Sequence, residues 1–304
     1  MKRRAYRDST DLDLLQAFNA NSLAETQGCG FIQPGDIAHR LFNGNKQFDP
    51  SHVMTIWEDA EGVAAWVLAE PTRECFDAQI RPPLKGSEFA AEVLEYAEER
   101  TLELMRQHGV QAKRVWADAF RCDRLTVELL ERLGWTQDQS STWTENRLRL
   151  VDLPAPLLPA GYSIRTARGI EEADALAGVH RGAFPKAKWT GELYRKVMQS
   201  PGYYADREYV VEAPDGSLAA FTLTWHDLIN KTVLFEPVGT HADHRRKGLA
   251  RALLHYVMQQ MAAAGLEQAV VVNDVSNVAS RSLYRACGFL PWQQIDDYYK
   301  ELPS

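Results

Sequence analysis

The sequence lacks an apolar run long enough to cross a membrane, a surplus of positive charge, and any closely paired cysteines. Each gap removes a class of function. A membrane-spanning helix needs about 20 consecutive apolar residues, and the 304-residue sequence offers no such run. The opening segment MKRRAYRDSTD is cationic but has no apolar core behind it, so it does not fit a secretory signal. The formal net charge is -7, which speaks against a nucleic-acid binder and favours neutral or cationic small partners. Four cysteines (Cys29, Cys75, Cys122, Cys287) are scattered without a C-x-x-C pair. That pattern suits reduced thiols in a cytoplasm better than a disulfide framework. His241 and His244 stand three apart with no third ligand nearby, so no metal site is expected.

What is present is the composition of a globular protein, 45% apolar and 25% charged. The length predicts two domains. Asp152–Gly161 contains three prolines, which continue neither helix nor strand, so residues 153–160 read as the linker. The order of elements on one side of it repeats on the other. In the first half a strand and helix (4–18) lead past Gly28-Cys29-Gly30 to a helix (34–42) and a hairpin (53–57 and 63–68). A long helix (87–108), a strand (115–117) and a short helix (125–133) ending at Gly134 follow. In the second half a strand (162–165), two helices (171–184 and 191–199) and a hairpin (209–212 and 218–225) lead to the richest stretch.

That stretch, Lys231–Ala264, runs from a β-rich segment, Thr232–Phe235, to a helix with apolar Leu249, Leu253, Leu254, Val257 and Met261 at helical spacing. Between them lies Arg245-Arg246-Lys247-Gly248-Leu249-Ala250. A helix that opens after such a loop presents unpaired N–H groups and the positive end of its dipole, the makings of a phosphate site. After the strand 269–272 comes NVASRSLYRACGF, Asn277–Phe289, a short helix closed by Gly288. An offset of 154 residues lays Gly134-Trp135 on Gly288-Phe289, Leu130 on Tyr284, Asp123 on Asn277 and Thr126 on Ser280. The first half therefore lacks the tyrosine and the asparagine. Its long helix is preceded by Pro82 and Pro83, which have no N–H to offer.

Arg245, Gly248 and Ala250 match an R/Q-x-x-G-x-G/A loop, and Asn277, Ser280, Leu283, Tyr284, Gly288 and Phe289 match an N-x-x-A/S-x-x-L-Y-x-x-x-G-F signature. In that order, with a strand between, they resemble the GNAT superfamily of acyl-CoA-dependent N-acetyltransferases, over roughly residues 161–304. The resemblance implies a mixed α/β (α+β) fold of two tandem GNAT-like domains, each a mostly antiparallel sheet flanked by helices. Residues 1–152 would be a degenerate domain that does not bind acetyl-CoA, and 161–304 the catalytic one. It implies that the strand 235–240 splays from 269–273, so that backbone groups of Val238, Gly239 and Thr240 meet the pantetheine arm and polarise the thioester carbonyl. Arg245, Arg246, Lys247, Gly248, Leu249, Ala250 and Arg251 would hold the pyrophosphate, and Asn277 and Ser280 the pantetheine. Tyr284, a phenol of ordinary pKa about 10, would give its proton to the departing thiolate. Asn277 also reads as a helix cap, and Gly239 as a packing glycine.

The base for the amine is open. Glu236 lies two residues before Val238, on the same strand face by alternation, and is the candidate; His226 and Asp227 are the second choice. The function expected is acetyl transfer from acetyl-CoA to a primary amine of a small molecule or peptide, in a monomer or homodimer, with no metal, nucleic acid or membrane partner. Two other readings stand beside it: an aminoacyl-tRNA-dependent peptidyl transferase on paired domains of this kind, and a CoA-binding regulatory protein without turnover.

Overall fold

In the computed structural model, which describes residues 1–302, strand β1 (Lys2–Ala5) leads to helix α1 (Ser9–Glu25), opened by the Asp8 carboxylate accepting from the Thr10 N–H. Two short helices follow, α2 (Pro34–Ala38) and α3 (Pro50–Val53), each with proline in its first turn. Strands β2 (Met54–Asp59) and β3 (Gly62–Glu70) form the expected hairpin, and β4 (Cys75–Ile80) extends it. Helix α4 (Glu88–Gln107), strand β5 (Arg114–Phe120), helix α5 (Arg124–Arg132) and the long strand β6 (Thr136–Arg149) complete the first run. After the proline-rich segment come β7 (Ser163–Thr166), α6 (Ala173–Ala183), α7 (Gly191–Met198), β8 (Glu208–Glu212) and β9 (Leu218–Asp227). Then follow β10 (Thr232–Thr240), α8 (Leu249–Ala263), β11 (Gln268–Asp274), α9 (Val278–Ala286) and β12 (Leu290–Glu301).

The chain divides into two units that depart from the halves of the sequence at two places. Unit 1 is Met1–Glu145 joined by Asn273–Ser276 and the described part of Trp292–Ser304; unit 2 is Asn146–Val272 and Asn277–Pro291. The exchange has a plain cause. Strand β12 pairs antiparallel with β5, from Ile295 opposite Phe120 to Glu301 opposite Arg114, so the last strand of the sequence belongs to the first sheet. The proline-rich segment is irregular, as its prolines require, yet it lies on unit 2. The Gln259 side chain donates to the Pro154 carbonyl at 3.0 Å, and Leu153 and Leu158 pack on that unit's core.

In unit 1 the strand order is β1-β2-β3-β4-β5-β12-β6. Its core, between sheet and α4, contains Ala64, Val93, Ala97 and Val115, each fully buried. In unit 2 the order is β11-β10-β9-β8-β7, and β10 and α8 enclose Val233, Phe235, Leu253, Leu254 and Val257, also fully buried. Each of these Val, Leu and Phe side chains contributes about 1.5–3 kcal/mol by leaving water. Most pairings are antiparallel, as expected, but each unit has one parallel pair followed by a parting of strands. In unit 1, β4 meets β5 at Cys75–Trp116 and Phe76–Ala117; in unit 2, β10 meets β11 from Thr232–Gln268 to Leu234–Val270.

The repeat inferred at an offset of 154 residues is visible in the helices that follow these strands. Asp123 caps α5 by accepting from the Thr126 N–H, Asn277 caps α9 by accepting from the Ser280 N–H, and Gly134 and Gly288 end them with φ of 84° and 94°. The cysteines differ from expectation. Cys29 and Cys122, 93 residues apart in sequence, are joined by a disulfide, while Cys75 and Cys287 are free thiols. Spacing along the chain did not show the pair because folding of the Gly28–Gly30 loop against the start of α5 brings it together. Among the described residues no helix is long and apolar enough to cross a membrane.

Candidate functional site

A cleft of about 640 Å³ opens in unit 2 between the far end of β10, the start of α8 and the start of α9. Its geometry follows from where β10 stops pairing. Up to Leu234 the strand is bonded on both edges; from Val238 to Thr240 it keeps only β9, with Val238 opposite Thr222 and Thr240 opposite Ala220. The other edge of this stretch has no strand beside it. Gly239 is required by packing, since a Cβ there would stand 2.5 Å from the Phe221 ring and 3.0 Å from the Ala183 Cβ.

The start of α8 forms the opposite wall. Arg246 and Gly248 both take left-handed backbone, φ 62° and 79°, which turns the loop so that the first N–H groups of α8 look outward. No side chain caps this helix, so the N–H groups of Leu249, Ala250 and Arg251 lack an intrahelical acceptor. A Cβ on Gly248 would meet nothing within 4 Å, so the approach is open. Arg245 is a strut: its guanidinium donates to the Ala183 carbonyl at 2.8 Å and the Thr240 carbonyl at 3.4 Å, holding the loop to α6 and β10.

Val238, Gly239, Thr240, Arg245, Arg246, Gly248, Leu249, Ala250, Arg251, Asn277, Ser280 and Tyr284 all line this cleft. Two expected members do not. The Lys247 ammonium turns to the Tyr162 hydroxyl at 3.0 Å, and Glu236 sits half-buried just before the cleft's strand edge. A bulge corrects the alternation expected at Glu236: between the Phe235–Thr224 and Val238–Thr222 pairs, Glu236 and Pro237 of β10 face the single Leu223 of β9, so the faces do not simply alternate. The Trp225 indole N–H donates to the Glu236 carbonyl at 2.8 Å within this irregular stretch.

Asn277 does cap its helix, with Oδ1 accepting from the Ser280 N–H at 3.2 Å, while the Ser280 hydroxyl donates to the Asn277 carbonyl at 3.0 Å. Tyr284 is 7% exposed, its ring edge-on to Phe289. Burial first, and the negative charge of Glu236 second, push its pKa well above the ordinary phenol value, so it keeps its proton. The alternative bases are otherwise engaged. Burial and then Arg207 bring His226 down to about 4, and its Nε2 lies 3.2 Å from the Thr224 hydroxyl. Asp227 holds the β9–β10 turn by accepting from the N–H groups of Ile229 and Asn230, both at 3.0 Å.

Ala183, Phe184, His244 and Leu283 also line the cleft. Ala183 and Phe184 carry no motif; they arrive because α6 packs on β10. His244, read from sequence as loop, bonds through Nδ1 to the Tyr162 hydroxyl at 3.0 Å.

The corresponding place in unit 1 is closed by its own side chains. The Ser87 hydroxyl caps α4 by accepting from the Ala90 N–H at 3.3 Å. Lys85, next to the loop glycine Gly86, bonds to the α5 cap Asp123 at 2.5 Å, with both side chains under 10% exposed. The same ammonium donates to the Gly30 carbonyl at 3.1 Å and lies 4.0 Å from the Phe31 ring centroid. The disulfide from Cys29 to Cys122 fastens the Gly30 loop there.

Residues 179–289 match the model of the Acetyltransferase (GNAT) family. A protein named Mycothiol acetyltransferase from Thermobispora bispora is 26% identical over 213 residues, covering 66% of this chain and 70% of its own length. Its namesake in Streptomyces griseus is 24% identical over 190 residues, covering 62% and 61%. Among solved structures, a GCN5-related N-acetyltransferase from Sphaerobacter thermophilus superposes with a TM-score of 0.67 at 19% identity, over 99% of this chain and 95% of that one. A tandem GNAT protein from the clavulanic acid biosynthesis pathway gives 0.65 at 17% identity, over 100% and 99%. These two establish likeness of fold.

Proposed function

We propose, from the premise that residues 179–289 form a GNAT acetyltransferase domain, that the unit 2 cleft binds acetyl-CoA and serves direct acetyl transfer to a primary amine in a ternary complex. The observation that carries this reading is the convergence on one cleft of an uncapped helix N-terminus, a strand edge without a neighbour and a buried, protonated tyrosine. The donor set fits the coenzyme. The N–H groups of Leu249, Ala250 and Arg251, with the helix dipole, suit a pyrophosphate. The β10 edge from Val238 to Thr240 suits the amides of a pantetheine arm, added as a strand would be.

When bound, the coenzyme supplies an activated thioester and a thiolate leaving group. The chain supplies the rest. A β10 N–H in the Val238–Thr240 stretch polarises the carbonyl. The Asn277 amide, fixed by its capping bond, orients the arm. Glu236 takes the proton from the incoming amine, directly or through water. The Tyr284 hydroxyl holds its proton until sulfur needs it and then donates; the carboxylate that raises its proton affinity is the same Glu236. Unit 1, closed by Lys85 and Asp123, binds no coenzyme in this account.

Relatives named Mycothiol acetyltransferase support screening small-molecule amines before peptides. The test is release of CoA thiol from acetyl-CoA across polyamines, amino sugars and amino-acid amides. We expect release with at least one class and its loss in Tyr284→Phe. Acetyl-CoA binding without release for any amine would overturn the enzymatic reading and favour a coenzyme-binding regulator.

A further inference from the structure

Two cations beside the cleft have no carboxylate partner among the described residues. Arg246 and Lys247 are exposed, and neither appears in an ion pair with an acidic side chain. Lys85, its counterpart in unit 1, is by contrast locked to Asp123. Lys247 has a neutral partner instead. Its ammonium donates to the Tyr162 hydroxyl at 3.0 Å, and the same hydroxyl lies 3.0 Å from His244 Nδ1.

An ammonium only donates, so the Tyr162 oxygen accepts from Lys247, which leaves its own O–H free to donate to His244 Nδ1. In that arrangement the imidazole carries its hydrogen on Nε2. Tyr162 therefore sets two donors, the Lys247 ammonium and the His244 Nε2–H, around one half-buried phenol. His244 itself lines the cleft.

Position completes the argument. Tyr162 immediately precedes β7, the far strand in the order β11-β10-β9-β8-β7, while α9 follows β11 at the other end. The Tyr162 group thus marks the rim away from Asn277 and Tyr284. If the acyl end of the coenzyme lies with Tyr284 and its pyrophosphate at α8, the nucleotide end leaves by this rim. That end carries a phosphate monoester on its ribose, a dianionic acceptor for such donors.

We propose that His244 and Lys247, positioned by Tyr162, form a second anion subsite that takes the ribose phosphate of CoA and makes the protein prefer CoA to dephospho-CoA. The subsite rests on the acetyl-CoA reading above, and the test separates the two. Calorimetric titration of CoA and of dephospho-CoA into the wild-type chain should show CoA binding about tenfold tighter, the worth of one charge-assisted contact. In Tyr162→Phe, which keeps the ring, and in Lys247→Met on the surface, the preference should fall towards unity while dephospho-CoA affinity holds. Equal affinity of the wild type for the two ligands, or a preference that survives both substitutions, overturns the subsite alone. Binding of neither ligand overturns the acetyl-CoA reading and the subsite together.

Discussion

At the same point in each unit a parallel strand pair parts, a long helix begins nearby and a short capped helix faces it, yet in one unit these elements line a cleft and in the other Lys85 and Asp123 bond across the approach. The backbone plan is shared: Asp123 and Asn277 cap the short helices in the same way, 154 residues apart. What differs is who satisfies the start of the long helix. In unit 1 the Ser87 hydroxyl does, and Lys85, Gly30 and Asp123 close the approach. In unit 2 no side chain among the described residues caps α8, and Gly248 leaves open space in front of it. An orphaned helix start is tolerable where water or a ligand reaches it. The two units thus differ here by a few side chains on a backbone plan both possess, and under the proposed function it is the missing side chains that leave room for the coenzyme.

Under the proposed function, perturbations of unit 1 should act on stability and perturbations of unit 2 on chemistry. The largest effect belongs to the Cys29–Cys122 disulfide. It closes a loop of 93 residues, so its removal by Cys29→Ser with Cys122→Ser should cost about 4 kcal/mol by loop entropy. Urea unfolding would read the loss, and acetyl-CoA affinity should stay within twofold; a large loss of affinity would break the division of labour. Next comes Lys85→Met, which leaves the buried Asp123 carboxylate without its cation. Burial already pushes the Lys85 pKa down, and orphaning a buried partner costs about 3 kcal/mol. The same unfolding experiment checks it. Unit 1 should gain no coenzyme site, because Ser87 still caps α4.

In unit 2 the expected loss is kinetic. Tyr284→Phe keeps the ring against Phe289 and removes the proton donor, so turnover should fall about a hundredfold, the low end for a general acid. Acetyl-CoA binding should persist. Unchanged turnover would assign Tyr284 to packing only.

The smallest effect is a pH drift of stability. Burial pushes Glu208 up from 4.5 to about 7, against the lowering bonds from the Tyr194 and Tyr203 hydroxyls. The folded state then holds a proton that the unfolded state has already released. This group's contribution is therefore full below the unfolded pKa of 4.5, declines as pH rises, and is gone above about 7. Glu208→Gln should flatten that part of the melting-temperature profile between pH 4.5 and 7.5; an unaltered slope would contradict it.

Much of unit 2's site was legible because its motifs are local. Gly248 takes a left-handed turn, Asn277 caps its helix and Tyr284 stands on that short helix, and all three line the cleft, where the resemblance led one to expect them. What was hidden depends on partners distant in sequence. Strand β12, rich in Gln, Asp and Lys, shows no clear apolar alternation, and only its pairing with β5 reveals it as part of unit 1. Strand β6 is likewise polar along its length, whereas β4, where Phe76, Ala78 and Ile80 do alternate with Asp77 and Gln79, was passed over although its pattern is there to read. The Cys29–Cys122 disulfide, the Lys85–Asp123 plug and the bond from Trp225 to the Glu236 carbonyl are likewise tertiary facts. The bulge at Phe235–Val238 shows the limit of strand alternation as a guide to Glu236.

The central claim is one coenzyme site per chain, at the start of α8. Calorimetric titration of acetyl-CoA into the wild type and into Gly248→Asp tests it most directly. Aspartate tolerates left-handed backbone better than most residues, and its Cβ meets open space at this position, so the variant should fold while placing a negative charge where the pyrophosphate is expected. The account predicts a stoichiometry of one for the wild type and no measurable binding for Gly248→Asp. Two sites in the wild type, or full binding by the variant, would contradict it.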